Sequence, residues 1–323
     1  MARTLSMSST PTVSIAIPAL NEAVNIERCL TSIRNCFPQG IELEILLGDH
    51  GSVDGTPVIA AAQGARVVPH RGGTVGGLRN VIASHCSGAV LIFLDADTTV
   101  TPEWGSGIGA VLRDLQSRPA QITGSMCSVP DIPNAFIRYW FAKIPRLTTE
   151  YLGTAHLIVP AALFHELHGF DPELRSGEDF DFCERARKYG AALVVRPELK
   201  VVHHDYPLTA AEFLRRECWH GAGDFQTLDR TLHSRVALAA LSFMAIQLAA
   251  LLALLLAPAW FLGLEALTCV LALAMSVMKF RKLGIGARLV NVGIFYLYLI
   301  GRAGSALSAW KKKLMPQRAP IAP

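Results

Sequence analysis

Three observations predict an α/β fold, a mostly parallel Rossmann-like sheet followed by membrane-associated helices. Short apolar runs alternate with helical patterns over residues 12–117, acidic residues gather where those runs end, and two long uncharged stretches follow Arg235. Strands separated by helices of this length imply βαβ units. The chain has 323 residues, room for about two domains, and with 51% hydrophobic residues it is too apolar to be disordered or fibrous. All 26 acidic residues precede Lys279, so residues 1–278 carry a formal net charge of −5 and the basic excess belongs to the tail. Nucleic-acid binding calls for basic side chains interleaved with stacking aromatics on a folded surface, and that class is set aside. Seven cysteines without a C-x-x-C pair point to a reduced compartment, with neither a disulfide framework nor a thiolate zinc site.

Residues 1–11 read as a flexible leader whose single Arg and lack of an apolar core do not make a secretion signal, so the front of the chain is expected in the cytosol. The α/β part spans 12–228. Its strand-like runs are TVSIAIPAL, LEILLGD, ARVVPH and AVLIFLDAD, and between the first two Ile26, Leu30 and Ile33 recur at helical spacing. Ligands of parallel sheets bind beyond the carboxyl ends of the strands. Those ends carry Pro18 to Glu22, Asp49, and Asp95 with Asp97, so three polar clusters converge on one rim. Residues 130–152 form an aromatic and basic segment, either an acceptor-side or membrane-facing loop or, for Trp140 and Phe141, buried packing.

Residues 229–283 predict a transmembrane hairpin. Between Arg235 and Glu265 lie 29 uncharged residues, and 13 more precede Lys279; a crossing takes about 20 apolar residues, so two fit with a turn near Pro258. Arg230, Arg235 and the KFRK at 279–282 flank the hairpin while the turn has no basic residue, which places both ends in the cytosol. Residues 284–323 are expected as an interfacial helix and basic tail. A full crossing by the apolar stretch 289–301 would have to absorb Arg302; an in-plane helix puts Tyr296, Tyr298 and Trp310 at the headgroups and the lysines 311–313 on anionic lipid. QRAPIAP ends the chain as a frayed tail.

An apolar strand ending in Asp95-Ala96-Asp97 points both carboxylates to one side, because side chains alternate with period two. Two such carboxylates repel unless a cation lies between them and a ligand, and a hard divalent ion with phosphate oxygens is the usual occupant; a solvated turn is the alternative. Glu178 and Asp179 in GEDFDF either start a helix at its positive end or supply a general base. In VVHHDYP, His203 or His204 could donate an imidazole to a metal. Arg79 in GGTVGGLRN follows glycines that permit close backbone approach, and its guanidinium could clamp phosphate or position an aspartate. No GK[ST] follows and the first strand lacks G-x-G-x-x-G, which weakens NTPase and dinucleotide readings.

Taken in order, VSIAIPALNE, LLGDHGSVDGT, GGLRN, FLDADTTV, GEDFDFCERARKYG and VVHHD resemble glycosyltransferase family 2, whose GT-A fold uses nucleotide-diphosphate sugars; the resemblance covers about 12–225. It implies that Pro18, Asn21 and Glu22 form the first nucleotide-contact loop, that Asp49 reads the base, and that Arg79 lies near the diphosphate. It further implies Asp97 on a divalent metal, Mg2+ or Mn2+, with Asp95 and Ala96 beside it near the ribose or metal waters. Asp179 matches the catalytic base and Glu178 its support, and His204 is preferred over His203 as a further metal ligand. Where the family commonly has D-D-G-S, this chain reads Asp49-His50-Gly51-Ser52, which leaves the nucleotide open. RRECW at 215–219 lacks the Gln, and the Arg before Trp219, of the Q-x-x-R-W of processive synthases, which disfavours polymerisation.

The function this implies is an inverting, metal-assisted transfer of a sugar from a nucleotide-diphosphate donor to a hydroxyl or phosphate of a lipid-linked or envelope-glycan acceptor. The enzyme is expected at the cytoplasmic (inner) membrane, multi-pass, with its catalytic domain in the cytosol. A single displacement needs one base and no protein nucleophile, and no G-x-S-x-G is present. The rivals are a sugar-1-phosphate nucleotidyltransferase, which would carry a Gly-rich basic loop where this chain has PALNE, and a non-catalytic nucleotide-binding membrane scaffold.

Overall fold

The computed structural model describes residues 12–143, 151–280 and 283–314, with side chains through Trp310. The leader 1–11, residues 144–150 of the aromatic segment, the side chains of the lysines at 311–313 and the tail 315–323 lie outside the described residues. The chain divides into two compact units, Met1–Pro130 with Arg146–Asp205, and Asp131–Pro145 with Tyr206–Pro323.

The first unit opens with the expected alternation: β1 (Val13–Ala19), α1 (Ala23–Cys36), β2 (Leu43–Asp49), α2 (Thr56–Ala62), β3 (Arg66–Pro69), α3 (Val75–Ser84) and β4 (Val90–Leu94). β1 and β4 are buried along their whole length, which is why they read as unbroken apolar runs. Helix α1 buries Ile26, Cys29, Leu30 and Ile33, the stripe that the spacing predicts. Then follow β5 (Thr98–Val100), α4 (Pro102–Ser117), β6 (Gln121–Gly124), α5 (Ala135–Tyr139, part of the second unit), β7 (His156–Pro160), α6 (Ala161–Glu166), α7 (Glu178–Tyr189), β8 (Ala192–Val195) and β9 (Val201–His203).

The strands form one sheet in the order β3-β2-β1-β4-β7-β6-β8, with β7 antiparallel to both neighbours and the other pairs parallel. Strand β5 pairs antiparallel with β9 in a separate ribbon that sets Thr98 opposite His203. Two apolar cores result: one holds α1 and α4 with Trp104 and Leu112 fully buried, the other gathers Phe93, Phe164, Phe170 and Phe182. Helix α4 approaches the end of α1 so closely at Gly105 that a Cβ there would clash with the Cys36 carbonyl oxygen. The rim where β1, β2 and β4 end is the one the sequence singles out.

The second unit is helical: α8 (Ala210–His220), α9 (Leu228–His233), α10 (Arg235–Leu256), α11 (Phe261–Lys279) and α12 (Ile285–Leu314), joined by the short α5. A reciprocal Thr209–Glu212 capping box starts α8. Three stretches, Arg235–Leu256, Pro258–Lys279 and Ile285–Trp310, are long and apolar enough to cross a membrane, with mean hydropathies of 2.3, 2.0 and 1.3. In the third, 44% of the most apolar window is covered by protein against 17% in each of the others. Helix α12 is longer than the stretch 289–301, and its Arg302 ion-pairs with Glu217 at 3.0 Å and Asp224 at 3.3 Å. Ser276 near the end of α11 donates to the Arg288 carbonyl at 3.2 Å, while Ala306 packs with Ala237 and Ala240 near the start of α10. Both ends of α12 therefore touch the same end of the hairpin. Between them the Tyr296 hydroxyl lies 3.2 Å from both Gln247 and Glu265, and Gln247 donates to Thr268 at 3.0 Å.

Trp140 and Phe141 are buried packing residues. Trp140 is 1% exposed amid the rings of Phe213, Phe280, Phe295 and Tyr298, with the Lys279 ammonium 4.1 Å from its ring centroid. Phe141 meets Tyr206 and Phe213, and Arg216 lies over its face. In the RRECW stretch Glu217 is buried between Arg216 and Arg302, while Trp219 is exposed.

Candidate active site

Two loops on the rim of the first unit are tied together. At the end of β1, Pro18 lies in register with Gly48, and Asn21 adopts a left-handed φ of +59°. Its main-chain N–H donates to the Ser52 hydroxyl at 2.9 Å, and its side-chain oxygen accepts from the Val53 N–H at 2.9 Å. The Glu22 N–H donates to Thr56 at 2.8 Å and the Ala23 N–H to Asp54 at 3.0 Å. Burial raises the pKa of the Glu22 carboxyl, opposed by a hydrogen bond from Asn25. Asp49 is buried at the tip of β2, where it accepts the N–H groups of Gly51 and Ser52 at 3.3 and 3.1 Å. His50 beside it lies with its ring centroid 6.4 Å from that of His70. Nucleotide-loop candidates Pro18, Asn21, Glu22 and Asp49 thus share one preformed floor.

Strand β4 delivers Asp95, Ala96 and Asp97 to the same rim, and the chain turns at once, with the Thr98 N–H donating to the Asp95 carbonyl at 3.0 Å. Across the ribbon, His203 Nε2 stands 3.2 Å from Asp97 Oδ2. One ligand atom each from Asp95, Asp97 and His203 lies within 4.8 Å of the others, a two-carboxylate, one-imidazole set that fits a divalent cation such as Mn2+. Burial, then the Asp95 charge, pushes the Asp97 carboxyl up to about 8, the repulsion that a cation would relieve. His204 does not join this set: its Nε2 is 2.8 Å from the Thr99 hydroxyl. His204 follows the last residue of β9 and its ring is turned to Thr99, so of the two histidines it is His203, not the preferred His204, that stands beside the aspartates.

Helix α7 begins with Glu178 and Asp179. Glu178 is buried and Asp179 half-buried, its Oδ1 accepting the Phe180 N–H at 2.8 Å. Burial, reinforced by the neighbouring Glu178 charge, raises the Asp179 carboxyl to about 6. Arg79, from α3, reaches both clusters: Nη2 donates to Asp95 Oδ1 at 2.6 Å and Nη1 to Glu178 Oε1 at 2.7 Å. The glycine before this arginine that matters is Gly76, which a Cβ would bring within 3.3 Å of the Glu178 and Phe170 side chains. It lets α3 seat against the segment that leads into α7, and Asn80 fixes that segment by accepting the Phe170 N–H at 2.9 Å and donating to its carbonyl at 2.7 Å.

The structure therefore joins Asp95, Asp97, Arg79, Glu178 and Asp179 in one connected polar group and adds His203. The stitching residues Ser52, Asp54 and Thr56 carry no motif of their own; only their place in the loop after β2, opposite the β1 loop, singles them out.

Comparison with known proteins gives the following. Residues 14–135 match the sequence model described as Glycosyl transferase family 2. The pre-mycofactocin glycosyltransferase of Mycobacterium tuberculosis is 25% identical over 226 residues, 65% of this chain and 46% of that protein, so the chain spans about half the length of this relative. Glycosyltransferase AglE of Haloferax volcanii is 26% identical over 247 residues, covering 71% of this chain and 79% of that one. Among solved structures, the mannosyltransferase PcManGT from Pyrobaculum calidifontis, in complex with GDP-Man and Mn2+, superposes with a TM-score of 0.55 at 17% identity, over 95% of this chain and 88% of that one.

Proposed function

Since the chain belongs to glycosyltransferase family 2 and has the GT-A fold, we propose that it moves a sugar from a nucleotide-diphosphate donor to a hydroxyl or phosphate of a lipid-linked or envelope-glycan acceptor, with inversion at the anomeric carbon. The observation that carries this reading is the connected group on one rim, in which Asp95, Asp97 and His203 form a cation set and Arg79 links it to the Glu178–Asp179 pair. Asp95, Asp97 and His203 would hold a divalent ion, which when bound offsets the negative charge gathering on a departing diphosphate.

The floor formed by Pro18, Asn21, Glu22 and Asp49 receives the nucleotide, with the base toward Asp49 and His50. Asp179 accepts the proton of the acceptor hydroxyl as the acceptor oxygen bonds to the anomeric carbon. The bond from that carbon to the phosphate oxygen breaks on the opposite side, and its electron pair leaves with the nucleoside diphosphate. A carboxylate raised to about 6 remains ionised at neutral pH yet is a better base than an ordinary aspartate.

In this reading α10 and α11 cross the membrane as a hairpin with both ends in the cytosol, and α12 lies in the cytoplasmic interface. The contacts of both ends of α12 with one end of the hairpin support that arrangement. The test is release of nucleoside diphosphate by the purified full chain from a panel of UDP-, GDP- and dTDP-sugars, with Mn2+ or EDTA, with and without a membrane lipid extract. Metal-dependent release stimulated by lipid is expected; formation of pyrophosphate from sugar-1-phosphate and NTP, or silence with every donor, overturns the proposal.

A further inference from the structure

Arg79 occupies the position expected of a diphosphate contact, yet its side chain is only 4% exposed and each Nη group is held by a different carboxylate, Asp95 at 2.6 Å and Glu178 at 2.7 Å. A clamp needs donors that face the ligand. Turning Nη1 toward a phosphate would leave the buried Glu178 carboxylate, only 7% exposed, deprived of its cation in a poorly hydrated place, which is strongly unfavourable. We infer that Arg79 is a positioning residue, a buried strut that sets the spacing between the metal-holding aspartates and the base Asp179.

Three features of α3 support the strut. The planar guanidinium presents Nη1 and Nη2 in a fixed fork, so two carboxylates bonded to it are held at one separation and one mutual angle, which a flexible ammonium cannot impose. Gly76, one turn earlier, lets the helix touch the Glu178 side chain, and Asn80, the next residue, grips the Phe170 main chain on both its N–H and its carbonyl. Helix α3 thereby fixes the approach to α7 at three successive points. Only the arginine among them also reaches the end of β4. Loosening Glu178 should therefore be felt at the metal, although Glu178 is not one of its ligands.

This inference rests on the function proposed above, and its test is read without turnover. Mn2+ binding to the full chain in detergent, followed by the electron paramagnetic resonance of free Mn2+, is compared for the native protein, Arg79→Lys, Glu178→Gln and Asp95→Asn, together with the double variant Glu178→Gln/Asp95→Asn. Arg79→Lys and Glu178→Gln are expected to weaken Mn2+ binding roughly 10- to 100-fold, as loss of an outer-shell partner does. The double variant should lose less than the two single effects combined. At saturating Mn2+, Arg79→Lys should also lower kcat while leaving the donor KM unchanged, and the metal-free affinity for nucleoside diphosphate should stay as in the native protein.

Unchanged Mn2+ affinity in Glu178→Gln, or strictly additive effects in the double variant, overturns the strut. So does a donor KM in Arg79→Lys that stays raised at saturating Mn2+, with weakened metal-free binding of nucleoside diphosphate but not monophosphate, the behaviour of a phosphate clamp. Silence of the native protein with every donor sinks the function instead, and it leaves the metal measurement standing.

Discussion

Asp179 combines the two properties a base needs: partial burial that strengthens it, and a place at the start of α7, beside Glu178, whose own charge Arg79 balances. Asp179→Asn is expected to reduce kcat by roughly 10²–10⁴ with donor binding retained, measured by turnover and by calorimetric titration with nucleoside diphosphate. As the proposed base, a carboxyl raised to about 6 is protonated below that pH, so the rate is expected to climb through pH 6 and level off above it. His203→Ala should weaken Mn2+ binding while His204→Ala, whose ring faces Thr99, leaves it unchanged. The acidic residues of this site were legible in the sequence because each ends an apolar run or begins a helix. The choice between the two histidines was not, since it depends on β9 pairing with β5 from a distant part of the chain. The sequence offers Arg79 as a phosphate clamp or as the positioner of an aspartate, but its second partner, Glu178, lies 99 positions away and leaves no local sign.

At the scale of elements, burial on both faces made β1 and β4 readable, while the three-residue strands β5 and β9 leave too short a pattern to notice. Helix packing is less forgiving than either. Because α4 meets the Cys36 carbonyl at Gly105, Gly105→Ala is expected to destabilise the first unit by about 1–3 kcal/mol, read as a lower midpoint in urea by tryptophan fluorescence. Among the apolar helices, one polar cluster draws a member from each: Gln247, Glu265 with Thr268, and Tyr296. Hydrogen bonds between membrane helices have modest strength, so Tyr296→Phe should lower stability in detergent by roughly 0.5–2 kcal/mol, measured by thermal unfolding. The length of α12 escaped the sequence because Arg302 looks like an obstacle until Glu217 and Asp224 are seen beside it.

At the scale of the whole molecule, the charge pattern around the hairpin gives an orientation that labelling can check. A single cysteine placed at Ala259 in a cysteine-free background should react with an impermeant maleimide on intact cells, and one at Ser117 only after the membrane is opened. Equal labelling at both sites would refute the proposed orientation. The sequence divides α/β from apolar helices near residue 228, whereas residues 131–145, which lie between β6 and β7 along the chain, pack with the helices. Nothing local marks that allegiance, since Trp140 reveals its surroundings only through residues more than 70 positions away. The polypeptide passes from one unit to the other at 130/131, 145/146 and 205/206, so the two are interleaved and no single cut separates them. A soluble fragment ending at residue 205 would carry Trp140 and Phe141 stripped of Phe213, Phe280 and Phe295 and should clump in solution. By the same reasoning, a gene fusion that swaps the helical unit must replace its internal stretch, 131–145, as well as everything after residue 205.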